Sequence, residues 1–373
     1  MSIPAFVVAV SLFLVTVAVN LQVPLYRTYA QAAGYGNGLT AVVFATYAAG
    51  VLPVLILFGG ISDRLGRKPV ILLSLVSTML ATLLVIVWPN IHMLFIARLL
   101  QGVGVGLSFS TGTAYLAEIL GNPTRAADYV GITTSLGLGS GALLTSVALL
   151  YNNSLVPVSY WGVLAATLLC TACMMSMPNS RNASRKKLLR LPHFPTGTVR
   201  FSLAIAATWS VTGLIVAILP TELARHQLTA WTGSVIFLAV GIGAFFQPWA
   251  RRLAPERSVK VGAVLIILAY VLLVVGVGLG IISLVLAGSA ISGAAGLGFS
   301  YIGGLAAVTK AGGKERTRTV SGYFLFAYLG LGLPTILIGF LADTVGVLIA
   351  LVGYGFVIIA ANAWLGFRLR LSR

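Results

Sequence analysis

Gly59-Gly60-Ile61-Ser62-Asp63-Arg64-Leu65-Gly66-Arg67-Lys68-Pro69 is a knot of charge and glycine in an otherwise oily chain. Apolar runs flank it, 39–58 before and 70–88 after. A link this short cannot form a domain, so it joins two helices. Its glycines allow a sharp turn between them. Pro69 suits the first turn of the second helix, where a missing N–H costs nothing. Charge alone supports only a basic loop that fixes topology. The spacing of Gly59, Asp63, Gly66, Arg67 and Lys68 is a pattern in its own right.

The oiliness extends through all 373 residues, 58% hydrophobic and 8% charged, with a mean hydropathy of +1.01. A soluble domain carries about 25% charged residues, so this is an integral membrane protein. A crossing needs about 20 apolar residues, and the length allows about a dozen. The 42 glycines suit close helix packing in a bilayer. A β-barrel would alternate polar and apolar residues; these runs are continuous.

The net charge of +17 would fit nucleic acid, but its placement argues against that partner. The basic residues fall in alternate links: Arg64, Arg67 and Lys68; Arg125; then Arg181, Arg185, Lys186, Lys187, Arg190 and Arg200. Arg251, Arg252, Arg257 and Lys260 follow, then Lys310, Lys314, Arg316 and Arg318, then Arg368, Arg370 and Arg373. The intervening links hold only Arg27 and Arg225. The positive-inside rule places the basic set and both termini in the cytoplasm, in a multi-pass protein of the cell (inner) membrane. Cys170 and Cys173 read as two small residues on one helix face rather than a redox or metal pair. His92, His193 and His226 fall in links and form no metal set, and no cofactor is expected. The first apolar run lacks a basic leader and a clear cleavage site, so it reads as a retained helix.

Twelve apolar helices are predicted: 6–24, 39–58, 70–88, 93–119, 127–151 and 158–177, then 201–222, 230–249, 259–280, 282–309, 319–343 and 345–367. The fold class is therefore all-α membrane protein, with 12 transmembrane helices in two pseudo-symmetric six-helix halves. The expected domains are 1–177, a basic linker 178–200 whose cations can lie on anionic headgroups, and 201–373. The halves echo each other locally. Asn20-Leu21-Gln22-Val23-Pro24 recurs as Ala217-Ile218-Leu219-Pro220, and Ala250-Arg251-Arg252-Leu253 stands where Ser62-Asp63-Arg64-Leu65 stood, without the acid. Two parallel halves are a transporter architecture, with the substrate path between them.

Helix 4 carries Arg98-Leu99-Leu100-Gln101-Gly102-Val103-Gly104-Val105-Gly106. Arg98 and Gln101 share a face, as do Gly102 and Gly106. An arginine this deep needs a protein or water partner; Asn20 and Gln22 lie at similar depth. The alternative is a cation snorkelling to the membrane edge. The 59–69 loop and this run together resemble the major facilitator superfamily of transporters, whose helix 4 has an arginine followed by Gln-Gly and further glycines. Gly330-Leu331-Gly332-Leu333-Pro334, with Gly339 and Asp343 beyond, looks like its smaller drug or metabolite efflux members. One departure counts against antiport: the family's drug/proton antiporters carry Gly-Pro in helix 5, and Leu143-Leu144 stands there.

The resemblance implies roles. Arg98, with Gln101 and Asn20, would couple transport to protons. Gly59, Asp63, Arg64, Gly66 and Arg67 would form an inner gate with Glu118, Arg125 and Asp128, for which solvated surface charge is the bland alternative. Glu315, Arg316 and Arg318 would be its second-half counterpart. Arg27 and Glu222 follow the two repeated prolines and offer an outer gate, or are two unrelated surface charges. Thr16, Asn20, Ser108, Thr111, Trp209, Gln247, Tyr301, Phe324 and Tyr328 are candidates for the substrate cavity, and each could equally be a packing residue. No acid sits at mid-helix, which favours a neutral, zwitterionic or anionic substrate.

The expected function is secondary active transport: export of a small molecule by proton antiport with alternating access, by a monomer whose partners are substrate, protons and the bilayer. A proton-coupled importer or facilitator is the alternative. A membrane-embedded enzyme would need clustered His, Asp or Cys in the helices, and a sensor an output domain; the sequence has neither. It is not expected to be an enzyme.

Overall fold

A computed structural model describes residues 2–57, 60–179 and 191–368. All regular structure among them is helical. The crossings are α1 (Ile3–Asn20), α2 (Asn37–Leu57), α3 (Arg67–Val87), α4 (Ile91–Leu120), α5 (Pro123–Tyr151) and α6 (Val158–Met175). The second set is α7 (Val199–Ala217), α8 (Thr229–Arg252), α9 (Pro255–Leu279), α10 (282–312), α11 (Arg316–Val345) and α12 (Val347–Arg368). Eleven stretches among the described residues are long and apolar enough to cross a membrane. One, Ile282–Val345, has 64 residues, about 96 Å of helix at 1.5 Å per residue. It breaks at Gly313–Glu315 and makes two crossings, so twelve result.

Sequence sets the ends of these helices. Asn90 caps α4 by accepting from the Met93 N–H at 3.0 Å, and Gly121 ends it with φ 61°. Asn122 then caps α5, accepting from Thr124 and Arg125 N–H, with Pro123 in its first turn. The predicted end of helix 1 at Pro24 is corrected. The chain continues through a tight turn, Val23–Leu25, into a seven-residue helix, Tyr26–Ala32. The same happens after α7, where Leu219–Arg225 adds seven residues. Each proline starts the new segment, since it cannot donate to the turn before it but fits a first turn.

The 59–69 link is also shorter than expected. Ile61–Leu65 is helical, Gly66 turns the chain at φ 97°, and Arg67 already begins α3. A side chain at Gly66 would be strained by that φ and would meet Asn179. Gly59 lies outside the described residues, as do Arg181, Arg185, Lys186, Lys187 and Arg190 of the linker. The described end of the linker lies on α11: Arg318 donates to the Leu191 carbonyl at 2.8 Å, and Phe194 packs on Phe326.

The two sets of six pack alike. In the first, α1 packs on α5 and α6, α2 on α4, and α3 on α4 and α6. In the second, α7 packs on α11 and α12, α8 on α10, and α9 on α10 and α12. Two extensive seams join the sets, α2 with α11 and α5 with α8, and exchanging the halves turns one into the other. The tightest approaches use glycine. Gly50 and Gly102 bring α2 and α4 together so closely that a Cβ on either would strike the other helix's backbone. Gly141 does the same for α5 on α1, and Gly330 for α11 on α7. Without a hydrophobic drive inside a bilayer, such packing holds helices together. Pro53 of α2 and Pro248 of α8 repeat too, each four residues before its helix ends. The cysteines do not share an environment: Cys170 is buried against Ser11 at 3.2 Å, while Cys173 is exposed.

Gly102→Val is expected to lower the thermal midpoint in detergent, by roughly 1–3 kcal/mol of overpacking. Gly353→Ala, where a Cβ meets nothing within 4 Å, should leave it unchanged. Equal midpoints for both would contradict this account of the α2–α4 contact.

Candidate functional site

Arg98 lies eight residues into α4, about 10 Å from its end, and is fully buried. Its Nη1 donates to the Val19 carbonyl at 2.6 Å and to Gln101 Oε1 at 3.1 Å; its Nη2 donates to the Phe44 carbonyl at 3.1 Å. The guanidinium carbon stands 4.8 Å from the Tyr47 ring centre, 5.4 Å from Phe44 and 5.9 Å from Tyr26. Gln101 Nε2 donates to the Ala18 carbonyl at 2.9 Å and to Gln22 Oε1 at 3.0 Å. The break of α1 at Asn20 explains the acceptors. The last carbonyls of a helix have no partner within it, and those of Ala18 and Val19 are taken by Gln101 and Arg98. The cation is therefore held by carbonyls and ring faces, and does not snorkel.

The expected partners are corrected. Asn20 turns away and donates to the Leu138 carbonyl of α5 at 2.8 Å. Gln22 reaches Arg98 only through Gln101. Tyr26, Phe44 and Tyr47 are additions that the fold makes. The available signal was Phe44 and Tyr47 lying three apart on helix 2, one turn before Gly50.

From Tyr47 a chain of rings crosses into the second half. Tyr47 meets Tyr328 at 6.0 Å, and Tyr328 meets Trp209 at 5.4 Å and Phe324 at 6.5 Å. Phe324 meets Tyr323 at 5.9 Å and Tyr301 at 6.2 Å. Four of the cavity candidates, Trp209, Tyr301, Phe324 and Tyr328, thus form one cluster, with Tyr47 and Tyr323 added by the fold. The Trp209 indole N–H has no acceptor among the described residues. The other candidates lie elsewhere. Thr16 donates to the Leu12 carbonyl at 2.9 Å, facing Gly137 in the α1–α5 seam. Ser108 bonds its own helix at the Val105 carbonyl, 3.0 Å away. Thr111 is buried on α4 with its hydroxyl unpartnered. Gln247 donates to the Leu297 carbonyl at 3.3 Å, between α8 and α10.

At the basic end, Arg67 joins three groups: Asp63 at 2.7 Å, Ser62 Oγ at 2.7 Å and Glu118 at 3.0 Å. Lys68 donates to the Met175 carbonyl at 2.6 Å, tying the loop to α6. Arg64 is exposed. Two expected members are placed elsewhere. Arg125 is exposed and joins none of these pairs, and Asp128 pairs across the halves with Arg251 at the end of α8. The pseudo-equivalent Glu315 and Arg318 pair with each other at 3.1 Å.

At the opposite end, Arg27 and Glu222 do not pair. Glu222 is buried and held by Arg225 of its own turn at 3.0 Å. Arg27 stands one turn from Gln31, whose amide oxygen, with the amide turned to face it, accepts from Arg27 Nε at 3.0 Å. Short-range partners one turn away outcompete the distant one. Among the contacts between halves at this end are those of Asp343, which accepts from Asn37 N–H at 2.7 Å, Gly38 N–H at 2.8 Å and Asn37 Nδ2 at 2.9 Å.

The sequence matches the family model of the Major Facilitator Superfamily over residues 8–333. Monosaccharide-sensing protein 2 of Arabidopsis thaliana is 31% identical over 112 residues, 30% of this chain and 15% of that protein. The class C tetracycline resistance protein of Escherichia coli is 26% identical over 205 residues, 55% of this chain and 49% of that protein. The chain thus matches half or less of the length of either relative. The crystal structure of a mutant of the nucleoside transporter NupG superposes with a TM-score of 0.74 over 98% of this chain and 99% of that one, at 12% identity, which is a likeness of fold.

Arg98→Lys keeps the charge but loses the planar fork that reaches Val19 and Phe44 together. It is expected to cost about 1–3 kcal/mol of stability, read as a lower thermal midpoint in detergent. A midpoint equal to the parent's would show that the fork holds nothing.

Proposed function

The chain belongs to the Major Facilitator Superfamily, and on that premise we propose that it is a secondary transporter that exports a small molecule from the cytoplasm by proton antiport and alternating access. The observation that carries this reading is Arg98: a buried cation holding α1, α2 and α4 at one point, and touching through Tyr47 a ring cluster that spans both halves. A charge so placed couples the electrostatics of the core to the seam that has to open. The relative named for tetracycline resistance adds support for a drug-like substrate.

In this reading the basic end faces the cytoplasm of the inner membrane. Asp63, Arg67 and Glu118 stabilise the inner gate, and Asp128–Arg251 is a tie between halves that opening must break. Trp209, Tyr301, Phe324, Tyr328 and Tyr47 contact substrate, with the Trp209 N–H as a donor awaiting an acceptor. All seven acids of the chain lie at the two ends: Asp63, Glu118, Asp128, Glu256 and Glu315 at one, Glu222 and Asp343 at the other. With a fixed positive charge in the core and no carboxylate there, the substrate is neutral, zwitterionic or anionic.

Two observations favour a second reading, a facilitator or importer of a polar metabolite. The core offers no carboxylate to carry a proton, and arginine does not release one. Leu143-Leu144 also stands where antiporters of the family have Gly-Pro.

Reconstitution in vesicles with an imposed pH gradient and a panel of labelled solutes separates the two. Antiport is expected to give solute flux that stops when the gradient is collapsed. Arg98→Ala should lose this flux more than it loses substrate binding, and Asp63→Asn should slow it at normal expression. Flux that follows only the solute gradient would replace antiport by facilitation, and no flux of any solute would remove the transport reading.

A further inference from the structure

We propose that Asp343 is the latch of the outer mouth, a positioning residue that closes the end opposite the basic loops by capping α2 from the other half of the molecule. This rests on the alternating-access reading above and adds to it a residue with no other role there.

The first N–H groups of a helix have no partner within it and carry the positive end of its dipole. At α2 that need is met from 306 residues away. Asp343, near the end of α11, accepts from both Asn37 and Gly38 N–H, and such bonds to a carboxylate are stronger than neutral ones. Asn37, a residue type that often caps its own helix, is engaged by the second half instead. Its Nδ2 donates to Asp343 at 2.9 Å, and its Oδ1 accepts from Thr221 of the Leu219–Arg225 segment at 2.8 Å. One contact therefore joins α2, α11 and the extension of α7.

Beneath the latch, α2 and α11 are in close contact down to the ring cluster. Phe340 packs over Gly38, Ala41 against Gly339, Ala45 against Gly332, and Tyr47 against Tyr328. Below, α2 is bound to its own half by Arg98 at the Phe44 carbonyl and by Gly50 on α4. It moves with the first half, and Asp343 and Thr221 move with the second. No separation at this end can leave the four hydrogen bonds intact. Asp343 is itself exposed, so water replaces the lost bonds on opening and the latch is reversible.

Hydrogen–deuterium exchange of the whole protein in lipid nanodiscs tests this without any substrate, so a failure of transport and a failure of the latch are separate results. In Asp343→Ala, which removes all three bonds to the carboxylate, peptides covering 37–48 and 330–345 should exchange about tenfold faster, since water makes good most of what is lost. Peptides covering 60–70 at the basic end should exchange more slowly, because opening one end closes the other. Asp343→Asn, whose amide oxygen can still accept, should fall between. Faster exchange confined to Asn37 and Gly38, with the basic end unchanged, would reduce Asp343 to a local cap and overturn the proposal. If Asp343→Ala does not fold, Thr221→Val decides: it removes only the Asn37 contact and should shift both ends in the same directions by less, and no shift overturns the latch.

Discussion

A single unpaired charge organises this molecule. Burying a cation without a carboxylate costs several kcal/mol unless other dipoles replace the lost water. Around Arg98 those dipoles are the Val19 and Phe44 carbonyls, Gln101 and three ring faces. The requirement constrains three helices at once. Helix α1 has to end where it does, or the Val19 carbonyl would be occupied. Helix α2 has to approach α4 closely enough for Phe44 to be reached, and Gly50 and Gly102 permit it. The position of Tyr47, and through it the ring cluster, follows.

Helix α2 is consequently one of the two elements of the first half, with α5, through which the halves meet. Its middle belongs to the first half, at Arg98, and its face lies along α11 of the second. Its start is capped by Asp343 and its last turns carry Pro53 toward the charged loop. The pseudo-equivalent α8 packs on α5 in the same way and carries Pro248, but has no buried arginine beside it among the described residues. Instead it contains a widened, π-helical turn, Phe237–Gly241, which meets Gly293 of α10 just before a second such turn, Ala294–Ser300. Such turns often occur at functional positions. The halves therefore share a plan but differ in what stiffens it: charge in the first, irregular backbone in the second.

Much of this plan is legible in the residues. Hydropathy runs mark the crossings, alternate basic links mark one face, and Pro24 and Pro220 mark a repeat that the structure realises as two equal seven-residue extensions. Arg67, Asp63 and Glu118 are expected together and lie together. The misplaced residues share a cause. Pairing Arg27 with Glu222, or Asp128 with Arg67, uses charge and depth alone. Charge is a long-range label that many partners satisfy, and the partner chosen depends on which helix ends come within hydrogen-bonding distance.

Length, apolar periodicity and charge placement are local properties, and by themselves they determined an all-helical membrane chain of twelve crossings in two related sixes. The loop and helix-4 patterns added its superfamily. The tertiary structure alone decided which carbonyls hold Arg98, that Asp128 ties α5 to α8, that Tyr47 completes the ring chain, and that Asp343 caps a helix starting 306 residues earlier. Each of these is a contact between distant segments whose energy depends on a few ångströms of separation, and that separation is set by how glycines let the helices approach.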